Sequence, residues 1–106
     1  MNQLGPFQSM WQAWDEVHDD LMGKPLSHFR RSMEIQFDEM QDHIDAGDRE
    51  AAAREAADII GIGLNCLRWL GYSPAEIADL AQARTENRMQ GRTPEILDKY
   101  QRLHGI

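Results

Sequence analysis

Cysteine is almost missing from the chain. Cys66 stands alone, so no internal disulfide can form, and the composition suits a reducing compartment such as the cytosol. Cys66 lies inside an apolar helical run and reads as a small buried hydrophobe rather than a nucleophile. Long hydrophobic runs are missing too, for no apolar stretch approaches the ~20 residues that span a bilayer. Met1-Asn2-Gln3-Leu4 has neither the basic start nor the apolar run of a secretory leader, so neither export nor membrane insertion is expected, and a cytoplasmic location is. Positive charge is scarce: 11 Lys and Arg face 18 Asp and Glu, for a formal net charge of -7. That balance argues against a general binder of nucleic acid or anionic membranes, either of which needs surplus Lys and Arg. There is no low-complexity segment beyond Ala51-Ala52-Ala53, and no internal repeat apart from two acidic pairs.

Those pairs organise the rest. Glu39-Met40-Gln41-Asp42 and Glu55-Ala56-Ala57-Asp58 each place two carboxylates three residues apart, on one side of a helix. Between them, Asp45-Ala46-Gly47-Asp48 reads as a turn. Glu39 lies eight residues before Gly47 and Glu55 eight after, so two antiparallel helices bring four carboxylates to nearly one level. Four such groups cannot all stay ionised side by side without cations. Bound divalent ions would also offset part of the negative charge.

With 106 residues and 42% hydrophobic content, the chain makes one soluble globular domain, 1–106, with a modest core. A first helix is expected over 9–21, with Ser9 and Gln12 as a capping box and Trp11 and Trp14 on its apolar face. Both tryptophans read most simply as core, though either can stack on a planar ligand such as a nucleobase. A second helix, 26–46, carries Leu26, Phe29, Met33, Phe37, Met40 and Ile44 in a narrow stripe, with Glu39 and Asp42 across from it. Alone, that acidic face reads as solvated. The third helix, 49–70, has apolar residues in nearly every direction in its second half, which predicts burial all round and a central position. Glu55 and Asp58 share a face with Ile62, Asn65, Cys66 and Trp69, so these acids are expected to be partly buried, where carboxylates need bases, metal ions or raised pKa values.

The clearest boundary is Gly71-Tyr72-Ser73-Pro74-Ala75-Glu76: a glycine cap, then a Ser-to-Glu capping box with Pro at the first helical position. The fourth helix runs to about residue 89, and its stripe of Ile77, Leu80 and Ala81 continues as Arg84, Asn87 and Arg88. Arg84 and Arg88 lie twelve and sixteen residues after Tyr72, and Asp58 and Glu55 fourteen and seventeen before it. Antiparallel packing therefore predicts these bases beside those acids, either as a structural ion-pair network or as a phosphate clamp. A fifth helix, capped by Thr93 and Pro94, offers Ile96, Leu97, Tyr100 and Leu103 for an oligomer contact. The expected fold is thus all-α, an antiparallel bundle of four to five helices completed by oligomerisation.

The ligand set Glu39, Asp42, Glu55 and Asp58 is all oxygen, which suits Mg²⁺ first and Mn²⁺ second. No His or Cys is counted with the set at helical spacing, so zinc is not expected. Mg²⁺ held by carboxylates completes its shell with water and substrate phosphates, and the adjoining arginines then point to a polyphosphate substrate. Such a site supports attack on phosphorus by a metal-activated water, with Glu39, Glu55 and Asp58 equally eligible to act on that water.

These residues resemble the MazG-type all-α nucleoside triphosphate pyrophosphohydrolases, whose Glu-x-x-Glu and Glu-x-x-Asp pairs sit on antiparallel helices. Phe37-Asp38-Glu39-Met40-Gln41-Asp42 is similar to the first motif and Arg54-Glu55-Ala56-Ala57-Asp58-Ile59-Ile60 to the second. Leu67-Arg68-Trp69-Leu70-Gly71-Tyr72-Ser73-Pro74 and Ala83-Arg84-Thr85-Glu86-Asn87-Arg88-Met89 resemble the next turn and the basic fourth helix, so the likeness covers about residues 26–90. Asp42 departs from the usual second Glu, Asp38 from a preceding Glu and Arg84 from a frequent Lys; charge is kept while geometry and preferred ion change. The resemblance implies Mg²⁺-dependent cleavage of an NTP or dNTP between the α and β phosphates, giving the monophosphate and pyrophosphate. It also implies phosphate contacts from Arg84, Asn87 and Arg88, a base pocket with Trp11 or Trp14, and a homodimer or homotetramer. Two alternatives stay open: a phosphoribosyl-ATP or dUTP-type hydrolase of the same superfamily, and a non-enzymatic helical dimerisation or regulatory module.

Overall fold

Residues 3–106 are described in a computed structural model; Met1 and Asn2, the start of the stretch read for a leader, lie outside the described residues. A 3₁₀ turn (Gly5–Phe7) leads into α1 (Gln8–Ala13), a second 3₁₀ turn (Asp15–Val17) and α2 (His18–Met22). Two long helices follow, α3 (Leu26–Asp45) and α4 (Arg49–Trp69), and then α5 (Pro74–Arg84), a π turn (Thr85–Met89) and α6 (Thr93–His104). The all-α expectation holds, with no strand among the described residues, and none of their helices is long and apolar enough to cross a membrane.

The hairpin of α3 and α4 is the frame. Gly47 closes the turn at φ +73°, a conformation that costs a residue without Cβ little. Asp48 then caps α4 by accepting from the Ala51 amide at 3.0 Å. Phe29 meets Trp69 at one end, with ring centroids 5.8 Å apart, and His43 meets Glu55 near the other, so the helices run antiparallel in the expected register. At the far end of α4, Gly71 sits at φ +93°, and the Ser73–Glu76 capping box is formed in both directions at 3.1 and 3.2 Å.

Three expectations change. The first helix is not continuous: Phe7, not Ser9, occupies its N-cap, and the chain tightens to 3₁₀ at Asp15–Val17. The break lies against Arg68 of α4. Its Nη2 donates to the Trp11 carbonyl at 2.8 Å and pairs with Asp15 Oδ1 at 2.9 Å, and the Trp14 amide bonds the same carbonyl at 3.2 Å in a short turn.

The seam of α3 differs as well. His28, Phe29, Ser32, Met33, Gln36, Met40 and His43 are the buried or half-buried positions, whereas Leu26, Phe37 and Ile44 of the apolar stripe face solvent at 56%, 57% and 55%. Polar residues therefore line much of the hairpin, and an apolar ridge is left outside. Third, α4 is central, touching α1, α2 and α3, but it is not buried all round, for Ile60 is exposed and Ile59 and Ile62 are half-buried. The small core joins Trp11, Leu64 and Ile77, with Leu4, Met10 and Leu67 against them.

The terminal helix α6 buries no residue at all, and Leu97 and Leu103 are largely exposed. The radius of gyration, 15.8 Å, exceeds the roughly 13 Å of a compact domain this long.

Candidate functional site

Of the four acids, Glu39 and Glu55 meet where α3 and α4 face each other beyond the middle of the hairpin. Glu55 is carried inward on α4, its side chain only 14% exposed, and its Oε2 is buried without a hydrogen-bond partner. A carboxylate oxygen in that state carries a desolvation cost that a proton or cation would offset. Its other oxygen, Oε1, lies 3.5 Å from His43 Nε2 on α3.

Glu39 comes from the same helix as His43, one turn earlier, and reaches Glu55 across the hairpin. The side-chain contact with Glu55, and then the Glu55 charge, hold the Glu39 carboxyl above the ordinary carboxylate range. Asp58 adds to that shift, and His43 opposes it.

Asp58 lies one turn along α4 from Glu55 and is exposed, as is Asp42 on α3. In this side-chain arrangement no three His, Cys, Asp or Glu groups among the described residues converge closely enough to hold a metal ion. The pair Glu39–Glu55 nevertheless has the right chemistry for Mg²⁺, which takes one or two carboxylates and fills its shell with water and phosphate oxygens. The orphaned Glu55 Oε2 is the observation that fits such an ion.

His43 corrects one reading. It follows Glu39 by four residues, at helical spacing, and faces Glu55, so the acids do have an imidazole beside them. The i to i+4 step from Glu39 was the available signal. The ligand set remains oxygen-rich, and His43 stands as a proton or charge partner to Glu55.

Comparison with known proteins finds no matching family model, curated protein or solved structure. The MazG-type reading therefore rests on the motifs and on the hairpin that carries them.

The basic residues are placed elsewhere. Ile77 anchors α5 on Trp11 and Leu64, and the helix then runs past the amino-terminal segment, where Ala81 and Thr85 share an open cavity with Leu4 and Phe7. Arg84 and Asn87 are exposed and Arg88 is half-buried. Among the described residues, the ion pairs are Arg31–Glu34, His43–Glu55, Arg68–Asp15 and Arg102–Asp98, so neither Arg84 nor Arg88 pairs with the acids. The flank of α4 expected to receive them is taken by α1 and α2.

Arg68 is the buried cation, 4% exposed and tied to Trp11, Asp15 and His18. Its guanidinium lies over the Trp11 ring, 3.9 Å from the centroid, and Trp11 is itself in the core. Trp14 is placed differently. It stands with Met10 on one side of a cavity of about 310 Å³ whose other walls include Ser32 and Gln36 of α3 and Asp58 and Gly61 of α4. Burial pushes the Cys66 thiol up, which agrees with an inert packing role.

Proposed function

We propose that this protein is a Mg²⁺-dependent nucleotide pyrophosphohydrolase that converts an NTP or dNTP to the monophosphate and pyrophosphate. The observation that carries the reading is Glu55 Oε2, buried and unpartnered, facing a Glu39 carboxyl whose pKa the Glu55 contact and charge push up. Glu39 and Glu55 would hold the ion, with Asp42 and Asp58 one turn away on the same helices. A bound Mg²⁺ would supply Lewis-acid polarisation of the phosphoryl group and activation of the attacking water. Glu39, Glu55 and Asp58 would be equally eligible to accept the proton of the attacking water, and His43, 3.5 Å from Glu55, would steady the charge on that carboxylate.

The resemblance also assigns Arg84, Asn87 and Arg88 to the substrate phosphates. In one chain they stand apart from the acids, so that role requires a second copy to carry them there. A homodimer or homotetramer is favoured independently by the exposed ridge of Leu26, Phe37 and Ile44, by Ile60 and by the uncovered α6. The same exposed faces would equally serve a non-enzymatic helical dimerisation module. Thermal melts separate the two readings. The pyrophosphohydrolase is stabilised by a non-hydrolysable nucleotide only when Mg²⁺ is present. A melt indifferent to nucleotide with and without Mg²⁺ points to the dimerisation module.

A further inference from the structure

The cavity beside Asp58 has two sides of different chemistry. One is Trp14 with Met10, brought in by the amino-terminal helices; Gly61 leaves room for them, since a Cβ there would meet Met10 Sδ at 3.2 Å. The other is the pair Ser32 and Gln36, four residues apart and therefore on one face of α3. Ser32 Oγ donates its proton to the His28 carbonyl at 2.8 Å, so it meets the cavity as an acceptor. Gln36 Oε1 is buried with no hydrogen-bond partner. Gln36 Oε1 is thus short of a donor, and Ser32 Oγ, one helical turn away, has accepting capacity to spare.

We propose that in this cavity, where the resemblance would put the base beside Trp14, Ser32 and Gln36 select a base with its amino group at pyrimidine C4 or purine C6, cytosine or adenine, over uracil or thymine, which carry a carbonyl at C4. An amino group carries two N–H donors, one for each acceptor, while the neighbouring ring nitrogen accepts from the Gln36 Nε2–H. Uracil and thymine place a carbonyl oxygen where the amino group would sit, and leave at least one of the acceptors unpaired. Volume fits as well: about 310 Å³ lies at the small end of the roughly 300–1,000 Å³ of small-molecule sites. Ser32 precedes Glu39 by seven residues, about 10 Å along the helix axis. Asp58 lines the same cavity, so a base held at Ser32 and Gln36 would leave its phosphates within reach of the acids.

The selection rests on the pyrophosphohydrolase reading, and the test separates the two. Pyrophosphate release is measured with Mg²⁺ for dCTP, dATP, dUTP and dTTP, on wild type, Gln36→Met and Ser32→Ala. In parallel, cytidine, adenosine and uridine are titrated against tryptophan fluorescence, with Trp14→Phe as control. The expected result is a kcat/KM for dCTP or dATP at least tenfold above dUTP and dTTP, and a preference that shrinks at least fivefold in Gln36→Met. Ser32→Ala carries the same test if Gln36→Met loses its helical circular dichroism. A wild-type preference for dUTP or dTTP, or a preference that both variants leave intact, overturns the base selection while the hydrolase reading stands. No pyrophosphate from any nucleotide overturns the hydrolase reading, and the titrations then decide the cavity alone. Quenching by cytidine or adenosine that is lost in Trp14→Phe supports the subsite; equal response to uridine, or none to any nucleoside, overturns it.

Discussion

The guanidinium of Arg68 stands 3.9 Å from the centre of the Trp11 ring while one of its nitrogens bonds the Trp11 carbonyl at 2.8 Å. One side chain thus holds both the ring and the backbone of a residue 57 positions away. Arg68→Ala removes the stacking and leaves that carbonyl without its charged donor. We expect a loss of about 2–4 kcal/mol, from a charge-assisted hydrogen bond and a desolvated cation–π contact. Asp15 is mostly exposed, so its pairing adds little. Arg68→Lys recovers only a minor part, since one ammonium cannot reach Trp11, Asp15 and His18 together. Denaturant melts of the three proteins check this, and an Arg68→Ala protein as stable as wild type contradicts it.

Metal-free stability should fall as pH rises through the mildly acidic range. Glu39 has a folded-state pKa above its unfolded value, so the folded chain holds the proton more tightly. Its contribution is complete below the unfolded value and is lost as pH climbs through the raised one. Glu39→Gln removes this dependence and melts above wild type at neutral pH without metal. Mg²⁺ then raises the wild-type melting temperature and leaves Glu39→Gln unmoved. Parallel melts across pH with EDTA or Mg²⁺ read both effects.

Glu55→Gln and Asp58→Asn should each lower pyrophosphate release by about 100-fold or more, the scale for loss of a group that stabilises transition-state charge. Both keep the helical circular dichroism, since neither forms part of the Trp11–Leu64–Ile77 core. A fully active variant would remove that residue from the site.

Subunits damaged at different places should rescue one another. Arg88 makes no ion pair with the acids of its own chain, so the proposed phosphate role would place it at a neighbour's site. Arg88→Ala and Glu55→Gln proteins, each nearly inactive, should regain up to about a quarter of wild-type turnover when mixed as dimers. Absence of rescue with confirmed subunit exchange assigns the phosphates to other residues.

The apolar ridge should be covered in solution. Wild type is expected to sediment as a dimer or tetramer, and Phe37→Glu with Ile44→Glu to sediment as a monomer. A monomeric wild type contradicts the assembly.

Helix ends were legible in the sequence wherever local chemistry decides them. Ser73, Pro74 and Glu76 announce the start of α5, and Gly47 and Gly71 mark their turns by conformations in which a Cβ is strained. The facing of Glu39 and Glu55 followed from counting outward from Gly47. What stayed hidden was long-range. Arg68 meets the first helix at its break from the other side of the fold, and no spacing within 9–21 records that contact. The polar seam of Ser32 and Gln36 was obscured by the apolar stripe beside it, because hydrophobic periodicity says a face will be covered and not by which chain. The course of α5 failed for a related reason: counting along two helices assumes nothing else occupies the flank, and α1 and α2 do. His43 was legible and was missed.

The central claim is that the Glu39–Glu55 pair serves phosphoanhydride cleavage, and pyrophosphate release tests it most directly. The substrates are all canonical NTPs and dNTPs, together with dUTP and phosphoribosyl-ATP, each with Mg²⁺ and with EDTA. We expect release from one or a few of them, dependent on Mg²⁺ and lost in Glu55→Gln. Release from none, by monodisperse and folded protein, contradicts the account and leaves the acidic pair a structural feature of a helical assembly module.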